Sequence, residues 1–320
     1  ATSVGNDITL SSTYSAITTV GRNSTGLLAQ SIGGGGGFTG VTSGADLILG
    51  GTHDGNSSAG NVAITNTAAI TTTGLNAAAI VAQSIGGGGG TSATDNGRMI
   101  RLGAAGSGLA NSSTISLTNS GNLQTQGVGS AGMVVQSVAG GGGYIAEVSG
   151  RQDYSVDFGT RSSGQANAGA ITVTNTAKSI STLGDYAPAV NVQSIGGGGG
   201  FALIRGSNRA LTRLGVVDAT ASTDAGAISL TNSADIYTKG RSSLAINVQS
   251  IGGGGGTIAS SSGSLVLGAL RFAGSADGGS ITFTNTGTTL TQGDFASALF
   301  LQSVGGGGGN VGGSDDAGLA

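Results

Sequence analysis

The chain has 320 residues, of which 66 are Gly, with one Pro, one His and neither Cys nor Trp. Charged residues are few (12 basic, 15 acidic, net −3), where soluble domains carry about 7% Gly and about 25% charged residues. This balance excludes a collagen triple helix, a disulfide framework, Cys-based metal sites and a basic surface for nucleic acid. The abundance of Ala, Val, Ile and Leu argues against disorder, and no run of 18 apolar residues offers a membrane-spanning helix. The start at Ala1-Thr2-Ser3, without Met or a leader pattern, reads as a mature chain or as a window of a longer one.

In chain order, the first element is the alternating stretch Ile8-Thr9-Leu10-Ser11-Ser12, and it returns as runs ending in Asn66, Asn119, Asn175, Asn232 and Asn285. Seventeen or 18 residues after each of these Asn comes Gln-Ser-Ile or Gln-Ser-Val followed by glycines, at Gln83, Gln136, Gln193, Gln249 and Gln302; the first copy is at Gln30. The Gln spacings are 53, 53, 57, 56 and 53, and the glycine runs hold 29 of the 66 glycines. A short apolar run ending in Gly follows, as in Leu47–Gly50 and Met99–Gly103. A variable Ser/Ala/Gly/Asp-rich stretch then leads to the next copy. The units are approximately 1–37, 38–90, 91–143, 144–200, 201–256 and 257–309, with 310–320 beginning a further variable segment.

The period inside each run is two, which is that of a β-strand. Ile171, Val173 and Asn175 fall on one face and Thr172 and Thr174 on the other. Positions −3 and −1 before each Gln are apolar. Position −2 ranges from Asn191 to Phe300 and is assigned outward, and the apolar residue at +2 suggests a bend or bulge at Gln-Ser. Short strands on a repeat of about 54 residues predict an all-β fold, a β-solenoid (β-helix) of six repeats with essentially no helix. Four strand-like stations per repeat suggest about two coils of ~27 residues, or three of ~18. At ~4.8 Å per coil the stack would be roughly 58 or 86 Å long. Stacking in register would align Asn66, Asn119, Asn175, Asn232 and Asn285, and Gln30, Gln83, Gln136, Gln193, Gln249 and Gln302, as side-chain amide ladders. The glycine runs, constant in place and framed by apolar residues, are read as close backbone packing in preference to flexible linkers.

Repeats of the form Ala-x-x-Ile-x-x-Gln-Ser-Ile-Gly-Gly-Gly-Gly-Gly, here Ala77–Gly90 and Ala187–Gly200, are preceded by Thr65-Asn66-Thr67 and Thr174-Asn175-Thr176. They resemble those of large bacterial surface proteins of the autotransporter type, over nearly the whole chain. The resemblance implies an exported passenger at the bacterial cell surface, a right-handed β-helix serving adhesion, aggregation or biofilm matrix. The family's translocator barrel is not represented in this sequence.

Motifs of chemistry are sparse, and the expectation is a non-enzymatic protein without cofactor or metal. His53, beside Asp54, stands in a variable loop. No H-E-x-x-H or G-x-S-x-G pattern occurs, and poly-Gly matches a phosphate loop only trivially. Residues after the glycine runs (Phe38, Thr91, Tyr144, Phe201, Thr257, Asn310) lack the Asp of calcium-binding nonapeptide solenoids. The densest charged cluster, Arg151, Asp153, Asp157 and Arg161, is a solvated loop or a candidate subunit or partner contact. The sequons at Asn23, Asn56 and Asn111 fall in loops. Expected partners are the chain itself, end to end or laterally, or a host or neighbouring cell. Two alternatives stand beside a structural filament or adhesin stalk. One is a water-ordering, ice-binding face formed by Thr65, Thr118, Thr174, Thr231 and Thr284. The other is a β-helix passenger that binds or cleaves polysaccharide.

Overall fold

The computed structural model describes residues 2–43, 46–51, 56–95, 99–104, 106–149, 155–204, 211–215, 217–259, 264–268, 271–272 and 274–312. Among these, all regular structure is β and all paired strands run parallel. Four sheets have six strands each. The Asn sheet comprises Ile8–Ser12, Val62–Asn66, Ile115–Asn119, Ile171–Asn175, Ile228–Asn232 and Ile281–Asn285. The Thr sheet comprises Ala16–Thr19, Ala69–Thr72, Leu123–Thr125, Ser179–Thr182, Asp235–Thr238 and Thr289–Thr291. The Gln sheet comprises Leu27–Ile32, Ile80–Ile85, Met133–Val138, Val190–Ile195, Ile246–Ile251 and Leu299–Val304. The Gly sheet comprises Gly36–Ser43, Gly89–Asp95, Gly142–Ser149, Gly199–Ile204, Gly255–Ala259 and Gly308–Val311. A Leu sheet of five strands (Leu47–Leu49, Met99–Leu102, Ser155–Phe158, Thr212–Leu214, Leu265–Leu267) follows, and then one of four short strands from Ser107–Leu109 to Arg271–Phe272.

Within every sheet, neighbouring strands come from successive repeats. Ile8 pairs with Val62, Gln30 with Gln83 and Gly142 with Gly199. Each repeat therefore makes one rung with several sides, and this corrects the expectation of two coils per repeat. Counting strand-like stations does not distinguish two small coils from one large one; the pairing distance of a full repeat does. From first rung to sixth, five steps of ~4.8 Å give an axial rise of about 24 Å.

One wide rung encloses several cores. The Asn and Thr sheets and one face of the Gln sheet surround a cluster that includes Val62, Ile64, Ile70, Ile80 and Ala82 and their equivalents in other rungs. Past the glycine run the chain folds back, so that the Gly sheet covers the opposite face of the Gln sheet. Val81 and Val134 there meet Tyr144, Phe201 and Leu203. The far face of the Gly sheet, with Ile145, Ala202 and Ile204, packs on Ile100, Leu102, Phe158 and Leu214 of the Leu sheet. The Gln and Gly sheets are thus covered on both faces, as parallel sheets usually are.

That layering overturns two local expectations. Position −2 is not outward: Val81, Val134, Asn191 and Asn247 are fully buried. Nor is there a bulge at Gln-Ser, since the strand runs in register from Met133–Val190 to Val138–Ile195. The apolar residue at +2 belongs to the same face as −2 and joins its own cluster of Ile85, Val138, Ile195 and Ile251. Register shifts lie instead in the Gly sheet, between Thr39 and Val41 and between Ile145 and Glu147.

Glycine is required where the Gly sheet meets its own next rung. Gly142 has φ +138°, and a Cβ built there would stand 1.9 Å from the carbonyl oxygen of Gly199. A side chain would point along the stacking axis into the neighbouring backbone, so close packing is the reason for the run.

Candidate functional site

The Gln-Ser motif binds rung to rung. Each Gln Nε2 donates to the Oε1 of the Gln one rung on: Gln30 to Gln83 (2.5 Å), Gln83 to Gln136 (2.7 Å), Gln136 to Gln193 (2.7 Å), Gln193 to Gln249 (2.7 Å) and Gln249 to Gln302 (2.9 Å). The ladder lies between the Gln and Gly sheets, and Gln136 and Gln193 also donate to the carbonyls of Gly143 and Gly200 at 3.1 and 3.3 Å. The Asn residues form a second ladder with the same polarity. Asn66 donates to Asn119 (2.8 Å), Asn119 to Asn175 (2.7 Å), Asn175 to Asn232 (2.6 Å) and Asn232 to Asn285 (2.7 Å). Gln83, Gln136, Gln193 and Gln249 are fully buried, so the continuous ladder is what satisfies their amides.

The Ser of the motif has a role that sequence reading missed. Ser137 Oγ donates to the Ser113 carbonyl (2.8 Å) in the segment entering the Asn sheet, and accepts the Gly169 N–H (2.9 Å) of the following rung. Ser84, Ser194 and Ser250 do the same. The recurrence of Ser at this one place was the available signal. Only the folded rung shows that it stands beside a segment some 24 residues earlier.

On the outward face of the Asn sheet two rows of small hydroxyl side chains stack in register. One contains Thr118, Thr174 and Thr231, and the other Ser116, Thr172 and Ser229. Every outward residue of this sheet, from Thr9 and Ser11 to Thr282 and Thr284, is Thr, Ser or Ala. The terminal rungs expose residues whose equivalents are buried inside the stack: Leu299 and Leu301 at one end, Phe38 at the other.

Of the charged cluster, Arg151 and Asp153 lie outside the described residues, as do His53 and Asp54. Asp157 pairs with Arg213, one rung on, whose Nε and Nη2 both reach Oδ1, the former at 2.8 Å. Arg161 is exposed, and no hydrogen bond joins it to Asp157 among the described residues. Arg101 occupies the register position on the other side of Asp157, so the column reads Arg101, Asp157, Arg213. These partners are 56 residues apart in the chain; the repeat spacing applied to Asp157 would have found them. A cavity of about 540 Å³ opens on this face of the Leu sheet, lined among others by Met99, Asp157, Arg161, Leu211, Arg213 and Asp218.

Burial alone pushes the Tyr144 phenol far above the usual tyrosine range. Its hydroxyl donates to the Gly129 carbonyl at 2.8 Å, and its ring lies 5.4 Å from that of Phe201. Among the described residues no three His, Cys, Asp or Glu side chains gather as a metal-ligand set. No family model, curated protein or solved structure matches the chain.

Proposed function

We propose that the chain is a structural, non-enzymatic solenoid of the bacterial cell surface, which extends a filament or a stalk by adding rungs. One observation carries this reading: both amide ladders have a single polarity, and both terminal rungs present an apolar cross-section. Gln302 closes the ladder with its Nε2 directed away from Gln249, and Gln30 opens it with its Oε1 directed away from Gln83. A further rung placed on either end, from the same polypeptide or from a second copy, continues the Gln bonds; the Asn ladder is open only at the last rung, because Ser12 holds its place in the first. Parallel edges of this kind recruit strands unless they are covered. The resemblance to autotransporter-type surface proteins supports the extracellular setting and the roles in adhesion, aggregation or matrix building.

Electron microscopy of the purified chain over a range of concentrations tests self-association. Fibres with an axial step of about 29 Å, six rungs of ~4.8 Å, are the expected result. Particles that stay monodisperse at every concentration would overturn self-association and leave the stalk segment.

The hydroxyl rows of the Asn sheet favour one second reading, a water-ordering face. Rows ~4.8 Å apart across strands and ~6.7 Å apart along them form a flat grid of methyls and hydroxyls, the arrangement that would hold a layer of ice-like water. Thermal hysteresis in the wild-type chain, abolished by Thr174→Lys, supports it; unmodified ice growth contradicts it.

A further inference from the structure

The two end faces of the stack are complementary in charge, in backbone and in shape. At the turn before the Gln strand, Asn23, Asn76, Gly129, Tyr186 and Ser242 each donate their N–H to a carbonyl of the next rung, those of Leu75, Val128, Asp185, Arg241 and Asp294 (2.7–2.9 Å). The column of residues in the carbonyl position therefore reads, from first rung to sixth, Arg22, Leu75, Val128, Asp185, Arg241, Asp294. Its last three members alternate in sign, and Asp185 Oδ1 accepts the Arg241 N–H at 2.8 Å. Asp294 is exposed at one end of the column and Arg22 at the other. In the Gly sheet, a Cβ on Gly90 would stand 2.0 Å from the Gly37 carbonyl oxygen, and one on Gly309 2.0 Å from that of Gly256, so this position faces the preceding rung. Gly37 holds the same place in the first rung, and a Cβ there would meet nothing within 4 Å. Bare backbone thus faces out of the stack at that end. At the sixth rung a cavity of about 510 Å³ opens between the turn, the Gln strand and the Gly strand, lined among others by Phe201, Leu244, Phe295, Phe300 and Asn310. The first rung carries Leu28 in the column of Phe300, and in the column of Asn310 it carries Phe38, which is 45% exposed.

We infer that a second copy of this chain docks head to tail and in register, its first rung on the sixth rung of the first copy, with its Arg22 beside Asp294. The inference rests on the self-association proposed above and adds the face, the polarity and the register. Asp185, Arg241, Asp294 and the incoming Arg22 then form one alternating row. Gly37 of the second copy faces the Gly309 carbonyl as Gly90 faces that of Gly37, and its Leu28 and Phe38 cover the cavity. Two like ends would instead meet with the same charge on both faces. An exposed ion pair adds little affinity; its effect is on orientation and register.

The test is electron microscopy and sedimentation of the whole chain at low ionic strength, where exposed charges are least screened. Arg22→Glu alone and Asp294→Lys alone should each need about fivefold more protein than wild type to form fibres. An equimolar mixture of the two should form them at the wild-type concentration, because each variant's altered end meets an opposite charge on the other. Gly37→Ala should keep the wild-type circular dichroism spectrum and form no fibres. Either charge variant assembling alone as readily as wild type, or a mixture no better than its components, overturns the docking and leaves self-association standing. Fibre growth by folded Gly37→Ala does the same. A wild-type chain that stays monodisperse overturns self-association, and the docking with it. The charge variants decide the matter whether or not Gly37→Ala folds.

Discussion

At the residue scale, Gln136 and Ser137 do different work on opposite faces of one strand. Gln136 accepts from Gln83 and donates to Gln193 in a fully buried row. Gln136→Leu keeps the volume and orphans both neighbours, and an unsatisfied buried group costs about 1–3 kcal/mol. A loss of about 2–5 kcal/mol is expected in denaturant unfolding. Ser137→Ala removes one donor and one acceptor across a rung boundary and should cost about 1–3 kcal/mol. The glycine column supplies a sharper contrast. Gly37 has φ +138° and open space within 4 Å of where a Cβ would stand, whereas Gly142, at the same φ, faces the Gly199 carbonyl at 1.9 Å. Gly37→Ala should cost only the backbone strain, about 1–3 kcal/mol, while Gly142→Ala should prevent the third and fourth rungs from pairing and lower the melting temperature far more. Tyr144 adds a pH effect. Unfolded, its phenol ionises near pH 10; folded, burial holds it neutral well above that. Above about pH 10 the folded state therefore retains a proton that the unfolded state has lost, and stability falls as pH rises. Tyr144→Phe should flatten that alkaline slope in melts between about pH 9 and 11.

At the element scale, the Asn strands were legible in the sequence because they obey simple alternation with one wet face. The Gln strand was misread for a physical reason. A strand covered on both faces carries no alternation, and variation between Val134 and Asn191 at position −2 looks like exposure. Asn191 and Asn247 are tolerated inside because Asn247 donates to Asn191 at 2.7 Å and to Thr257 at 3.0 Å. The ladder residues followed from spacing alone, whereas the partner of Asp157 did not, because local reading grouped it with Arg161 four residues on and not with Arg213 one rung on. Hydrogen exchange would separate the sheets. Amides of Met133–Val138 and Val190–Ile195, sealed on both faces, should exchange most slowly, and those of the terminal strand Ile281–Asn285 much faster.

At the scale of the whole molecule, one rung per repeat makes the chain short and broad, with about 24 Å between its terminal rungs. The proposed function, extension by further rungs, depends on that geometry, since every ladder bond joins residues one repeat apart. Removing one full repeat, 144–200, should leave a folded five-rung stack in which Gly143 leads directly into Phe201. Removing half a repeat should abolish the β-sheet circular dichroism signal. The most direct test is a distance. The chain contains no Cys, so Thr9→Cys/Thr282→Cys places spin labels at two exposed sites of one outward column, in the first and sixth rungs. Double electron–electron resonance should give a separation centred near 24 Å, five steps of ~4.8 Å; a distribution centred near 48 Å, ten steps, would contradict the one-rung repeat.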